Sequence, residues 1–473
     1  MIRPRIYILG IIIVITAISP GFSISSNLWD IPKDIQAKIT SSSQKGDIKI
    51  NEIEYISSQY KGMPVKIFGY FCYPICRVQA GMPGVVLVHG GAGHADIRRA
   101  LDWANRGYAA LSIDLPGKGE GRKISRSTGP NMDVPILLNV QPDNSYNYLY
   151  HAVRAARCGI TFLQQQSFVN RGVAMVGVSW GGVITLITNG TDNRLAAAVP
   201  VFGSGYLDEG STWQKWFDIL MTRPDLKTYD DNFDARQYLK NQHAPMLYMT
   251  GTNDHCFYLP IFMKSYQLIK SECTLAIYPN VKHKVSGRMN NNIYRFVDSK
   301  LKGTSGFPTA SIEAVYQKDA EVWYKIKASG PDQIKSVTLY YTLSGVDKWT
   351  TKKWRSQDAT IFGDAYFVKL PLSILKPEMV FYASAKDINN KQSSTPIYDL
   401  FFLVINNERN MIIKTEIVDQ IFEKSISRGT WFDIFGNNLP ISDKIVPFSY
   451  LWKTGATLRA GKTAYFLKLP TTK

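Results

Sequence analysis

Cysteine is scarce in this chain: Cys72, Cys76, Cys158, Cys256 and Cys273 are the 5 among 473 residues. So few exclude a disulfide-built scaffold, and the odd number leaves at least one thiol unpaired within a single chain. Cys72 and Cys76 flank Pro74 and could pair only across a turn, because an extended strand would hold them about 13 Å apart. Histidine is nearly as rare, with 6, and no Cys or His spacing matches a zinc site, so no metal or cofactor is implied. Acidic residues are outnumbered, 38 against 55 Lys and Arg, for a net charge of +17. That excess is scattered rather than massed in basic runs, and no nucleic-acid-binding motif accompanies it; no nucleic-acid partner is expected. Long apolar runs are missing except for one. Ile6 to Ile18 follows Arg3 and Arg5 and precedes Pro20, Gly21 and the small residues Ser23, Ser25 and Ser26. It falls short of the roughly 20 residues a membrane span needs. The order charged, apolar, small predicts a signal peptide over residues 1–25 and an exported protein without stable membrane insertion after cleavage. An uncleaved anchor is the alternative.

What remains has the balance of a folded protein, 45% hydrophobic and 20% charged, and is long enough for more than one domain. Residues 27–60 are polar and mixed and predict a helix followed by an edge strand. From Val65 onward, strand-like and helix-like segments alternate. Pro83–Val88 is a short continuous apolar run, as a strand buried on both faces would be. Residues 96–106 predict a helix and Ala109–Ile113 the next strand. A Gly- and Pro-rich loop follows to about residue 144, and apolar residues from Leu149 to Leu163 recur at helical spacing. Further strands are predicted at 172–176, 195–201, 245–250 and 275–278. Such alternation implies a doubly wound, mostly parallel sheet with helices on both faces, here an α/β domain over residues 27–303. Gly303–Pro308 reads as a linker. Beyond it the helices stop, and β-type segments around 321–326, 336–343, 365–370 and 380–385 predict an antiparallel sandwich of immunoglobulin or fibronectin type over 310–405. Residues 406–473 predict a β-rich extension.

The chemistry-bearing motif is Gly177-Val178-Ser179-Trp180-Gly181, set between the strand at 172–176 and the apolar run Gly182–Ile187. A serine on a tight strand-to-helix turn presents its hydroxyl above the sheet edge, and the flanking glycines allow that turn. Such a nucleophile needs a base, an orienting acid and a place for the oxyanion. Asp254, in Gly251-Thr252-Asn253-Asp254, directly follows an apolar strand, and His283 follows the strand Leu275–Tyr278. Ser179, Asp254 and His283 come in the order the α/β-hydrolase fold uses. The backbone N–H groups of Gly91, in His89-Gly90-Gly91-Ala92-Gly93, and of Trp180 are the oxyanion-hole candidates. Bland roles compete: Asp254 could cap the helix starting near Leu259, and Asp114 could shape a turn. His255 is expected to point away from the working face of the acid, and His151 to lie inside a helix.

Together His89-Gly90-Gly91, Asp114-Leu115-Pro116-Gly117, Gly177–Gly182, Gly251–Asp254 and His283 make residues 65–301 resemble an α/β-hydrolase of the dienelactone hydrolase and acetyl xylan esterase group, related to the prolyl-oligopeptidase-type hydrolases. The resemblance implies a serine hydrolase acting on a small-molecule or glycan ester. True dienelactone hydrolases are expected to use cysteine where Ser179 stands, and acetyl xylan esterases to carry Gln where Trp180 stands. A prolyl-oligopeptidase-like peptidase is the second reading, disfavoured because residues 27–65 are too short for a β-propeller. A non-catalytic glycan-binding protein is the third, supported by Trp349 and Trp354, which otherwise read as sandwich core. The Trp-bearing stretch 206–244 is expected to cover the acyl site, with the loop 115–144 forming the opposite wall.

Overall fold

A computed structural model describes residues 28–117, 125–343, 348–375 and 379–399, together with the two-residue strands 431–432, 438–439, 459–460 and 463–464. The expected signal segment and most of the expected C-terminal extension lie outside the described residues.

The first sheet runs in the order β1-β2-β3-β5-β4-β6-β7-β8-β9. Its strands are Lys38–Lys45, Ile48–Tyr60, Met63–Pro74, Met82–Val88, Ala109–Ile113, Val169–Val178, Leu195–Val201, Met246–Gly251 and Cys273–Tyr278. The first three are an antiparallel meander that joins β5 antiparallel, and β5-β4-β6-β7-β8-β9 are parallel. The helix expected within residues 27–60 is therefore a hairpin instead. Two-residue turns set it: Gly46 with positive φ before Asp47, then Lys61 and Gly62, both with positive φ, as a tight turn between twisted strands requires. β1 is exposed along its whole length, which hid its strand character from any apolar pattern.

β4, β5 and β8 are buried at every position, which accounts for their unbroken apolar sequences. Helices 97–105, 148–164, 180–191, 259–268 and 287–301 pack around the sheet. Helix 148–164 shows how the chain encodes one: the Asn147 side chain accepts the Leu149 N–H as its cap, and Leu149, Ala152, Val153, Ala156, Ile160 and Leu163 form its buried side. Covering such a side removes apolar surface from water at about 25 cal/mol per Å².

The second unit has strands β10 to β17: Thr309–Lys318, Glu321–Ser329, Ile334–Thr342, Trp354–Asp358, Thr360–Phe362, Ala365–Pro371, Val380–Asp387 and Gln392–Ser394. β10-β11-β15-β14 form one antiparallel sheet and β13-β12-β16-β17 the other. The first, second, sixth and fifth strands sharing a sheet is the immunoglobulin-type exchange of strands. Val322, Tyr324, Ile326, Val337, Leu339 and Phe381 fill the space between the two sheets. Trp354 does not join them. It is 6% exposed and packs in the core of the α/β domain, so the sandwich is docked on that domain by one of its own strands.

Candidate active site

β6 ends at Val178 and the helix 180–191 begins at Trp180, leaving only Ser179 to turn the chain. Ser179 has φ 62° and ψ −123°, a conformation that costs an L-residue about 1–3 kcal/mol. Close packing imposes it. A Cβ on Gly177 would lie 1.9 Å from the Gly181 carbonyl oxygen, and one on Gly181 2.3 Å from that of Val88. Both opposing atoms are backbone, so neither can swing aside. Ser179 N–H donates to Val201 O at 2.8 Å, and its carbonyl accepts from Gly182 N at 2.7 Å.

β8 and β9 deliver the other two groups. Asp254 is fully buried, and its Oδ1 accepts the N–H groups of Cys256 (2.7 Å) and Phe257 (3.1 Å). The helix 259–268 starts from Tyr258 with no side-chain cap, so Asp254 closes the turn before that helix rather than capping it, and the acid role is the one left to it. His283 Nδ1 lies 3.0 and 2.9 Å from the two Asp254 oxygens, and its Nε2 lies 2.8 Å from Ser179 Oγ. A carboxylate can only accept, which places the ring proton on Nδ1 and leaves the Nε2 lone pair for the serine hydroxyl. Serine, imidazole and carboxylate in this relay can perform nucleophilic attack with transfer of the serine proton to the ring.

The glycine turn after β4 lies against the elbow. A Cβ on Gly90 would sit 2.9 Å from Ser179 Cβ, and one on Gly91 3.2 Å from Trp180 Cδ1. Trp180 N–H opens the helix 180–191, whose positive end faces the site where negative charge would develop. His89 shapes the turn: its Nδ1 donates to Gly90 O (2.7 Å) and its Nε2 accepts from Leu115 N (2.9 Å). Asp114 orders the following loop, with Oδ2 accepting from Ser125 Oγ, Arg126 N and Ser127 N. Rings wall the site. Trp180 and Trp213 stand 4.7 Å apart, Trp213 and Phe257 5.1 Å, and Phe202 packs on His283 at 4.8 Å. Trp213 comes from the expected cover, which is tied to the acid loop by Thr212 N–H donating to Cys256 O.

His255 departs from expectation. The turn closed by Asp254 brings its ring to 5.7 Å from that of His283. His151 lies in its helix as expected, fully buried between Ser58 Oγ and Ser145 O, and burial pushes its pKa down to about 4. Cys256 also approaches Asp254 and His283, but burial and the Asp254 charge push its thiol up to about 12, so it stays protonated. Asp208, Asp230 and Asp234 converge as well, around the guanidinium of Arg236. Cys72 and Cys76 are free. Asn253 and Asn280, which flank the acid and base positions, escaped the sequence reading. The only signal was their place at strand ends, one residue before Asp254 and three before His283.

Residues 85–265, which include the elbow and the acid, match the alpha/beta hydrolase family model. The α/β domain has the α/β-hydrolase fold. Residues 212–348, from the cover of the hydrolase domain into the sandwich, also match the model of the PhoPQ-activated pathogenicity-related protein. Acetyl esterase Axe7A of Xylanibacter ruminicola is 26% identical over 204 residues, 40% of this chain and 46% of that protein; the chain thus spans under half the length of this relative. Among solved structures, the acetyl xylan esterase of Paenibacillus sp. R4 is similar at 20% identity and a TM-score of 0.46, covering 57% of this chain and 90% of its own. The acylaminoacyl peptidase of Pyrococcus horikoshii is similar at 18% identity and a TM-score of 0.41, covering 59% and 52%. Among the described residues, no helix is long and apolar enough to cross a membrane.

Proposed function

We propose that this chain is an exported serine esterase that removes short acyl groups, acetyl foremost, from acylated carbohydrate. The observation that carries the reading is the pair of contacts made by His283, 2.8 Å to Ser179 Oγ through Nε2 and about 3 Å to Asp254 through Nδ1. Ser179 Oγ attacks the ester carbonyl while His283 takes its proton. Asp254 holds the imidazole in place, and the N–H groups of Trp180 and Gly91 receive the oxyanion. His283 returns the proton to the departing alcohol, water enters, and the same relay run in reverse frees the acid. Trp180, Trp213 and Phe257 pack ring against ring beside Ser179 and the acid loop, which favours a small acyl group. The match to an acetyl esterase supports the same choice, and the charged, apolar and small-residue order of the N-terminus supports export.

The test is hydrolysis of p-nitrophenyl esters from acetate to octanoate and of acetylated xylo-oligosaccharides by the purified full chain and by Ser179→Ala. Acetate should be cleaved fastest, and Ser179→Ala should lose about 10⁴- to 10⁶-fold in kcat. Equal rates in the two proteins would defeat the assignment. Faster cleavage of N-acyl peptides than of any ester would replace it with a peptidase.

A further inference from the structure

Both loops that carry the acid and the base are fastened to one short segment of the sandwich. Asn253, the residue before Asp254, is 6% exposed. Its Nδ2 lies 2.7 Å from Lys352 O, 3.2 Å from Thr350 O and 3.4 Å from Trp349 O. Its Oδ1 accepts from Thr252 Oγ1 at 2.7 Å, and its backbone N–H donates to Val281 O at 3.0 Å. Asn280, three residues before His283, makes a two-way pair with Trp354: Nδ2 to Trp354 O and Trp354 N to Oδ1, both 2.9 Å. The Asn280 N–H closes the circuit on Thr252 Oγ1 at 2.8 Å. Trp354 is itself buried edge-on against Tyr382, whose hydroxyl reaches Ile277 O on β9.

We propose that the sandwich takes part in the reaction: its segment 349–354 clamps the acid and base loops in register, with Asn253 and Asn280 as positioning residues. This rests on the serine-esterase reading. Two strand-end loops must hold His283 within hydrogen-bond reach of Asp254 and Ser179 at once. An amide that faces three converging carbonyls, that of Lys352 buried, fixes the backbone one residue from the acid. A two-way amide pair does the same three residues from the base. Misplacing a reacting group by about 1 Å can cost about a hundredfold in rate.

A bland account would make the asparagines simple glue between domains, and the interface supplies its own control. Asn292, in the helix 287–301, makes a similar two-way pair with the sandwich, Nδ2 to Gln392 O at 2.8 Å and Gln392 N to Oδ1 at 3.1 Å. Its side chain also meets that of Tyr278 at the end of β9, but its pair with Gln392 lies on the helix and not on the acid or base loop. In the full-length protein, Asn253→Ala and Asn280→Ala should each lower kcat on p-nitrophenyl acetate roughly ten- to a hundredfold with KM within about twofold. Asn292→Ala should keep kcat within about twofold. Hydrogen exchange in the segment 279–284 should quicken in the first two variants and not in the third. That readout needs no turnover and stands even if one variant is too unstable to assay. Unchanged kcat and exchange in Asn253→Ala and Asn280→Ala, or an equal loss of kcat in Asn292→Ala, would overturn the clamp. A wild-type chain that cleaves no ester would instead overturn the esterase reading.

Discussion

The two sides of the site are held by different physics. On the serine side, Gly177, Gly181 and Gly90 let backbones approach to distances that no other residue permits, and Ser179 is forced into its positive φ. On the acid and base side, Asp254 and His283 stand on loops fixed by hydrogen bonds, several of them to the neighbouring domain. Steric fixation has no intermediate setting, because an added methyl either fits or does not. Polar fixation is graded, because each bond removed leaves others in place. The serine side should therefore fail all at once, and the acid and base side in steps.

Gly181→Ala gives the largest effect. Its Cβ would meet Val88 O at 2.3 Å and His89 O at 2.7 Å, and overpacking against backbone costs about 3 kcal/mol or more. Soluble yield should collapse, and whatever protein remains should show no esterase activity. A soluble, active Gly181→Ala protein would break the distinction between the sides. Asp254→Asn comes next. The side chain keeps its shape and an acceptor for the N–H groups of Cys256 and Phe257, so the fold should survive with an unchanged melting temperature. Activity should fall by about 10⁴ in kcat as the imidazole loses the partner that fixes its tautomer.

His151 provides a contrast in kind, with an effect that is absent at neutral pH and grows only as the pH falls. It is buried under the sheet with its pKa pushed from 6.5 down to about 4. In the unfolded chain it takes up a proton below about pH 6.5, while in the folded chain it resists until about pH 4. Stability is thus present at neutral pH and lost as pH falls through that window, by an amount on the order of 3 kcal/mol. His151→Gln should flatten the dependence of melting temperature on pH between 7 and 4, and an unaltered slope would remove the assignment.

The serine side was legible in the sequence because its physics is local. Glycines two apart around a serine, between an apolar strand and an apolar helix, specify the elbow without help from distant residues. The parallel strands were legible for a related reason, since burial on both faces leaves an unbroken apolar signature in β4, β5 and β8. The order and strand-end positions of Asp254 and His283 carried the rest of the constellation. β1 was not legible, because an exposed edge strand of Lys, Ser, Thr and Gln with a lone Ile has no pattern to show. His255 was misplaced because the turn that redirects it is made by the Asp254 side chain. Asn253 and Asn280 were invisible for a deeper reason. Their partners lie 74 to 99 residues away in another domain, and an asparagine that meets such distant carbonyls reads in sequence like any turn residue. Trp354 reads as sandwich core or as a sugar platform, and the interface that takes it up leaves no local trace.

The way β9 is finished decides how this chain tolerates being cut. One margin of the large sheet is β1, hydrophilic apart from Ile39, and charged or polar margins discourage strands of other molecules from adding on. The opposite margin is β9, whose inner residues are apolar and buried. There the Ile277 N–H is satisfied by Ser394 Oγ, and its carbonyl faces the Tyr382 hydroxyl. Severing the chain at the Gly303 linker would strip that cover and bare an unpaired apolar ribbon. The isolated α/β half should therefore gather into aggregates through that ribbon. The sandwich is as much a solubility device as a companion to the chemistry.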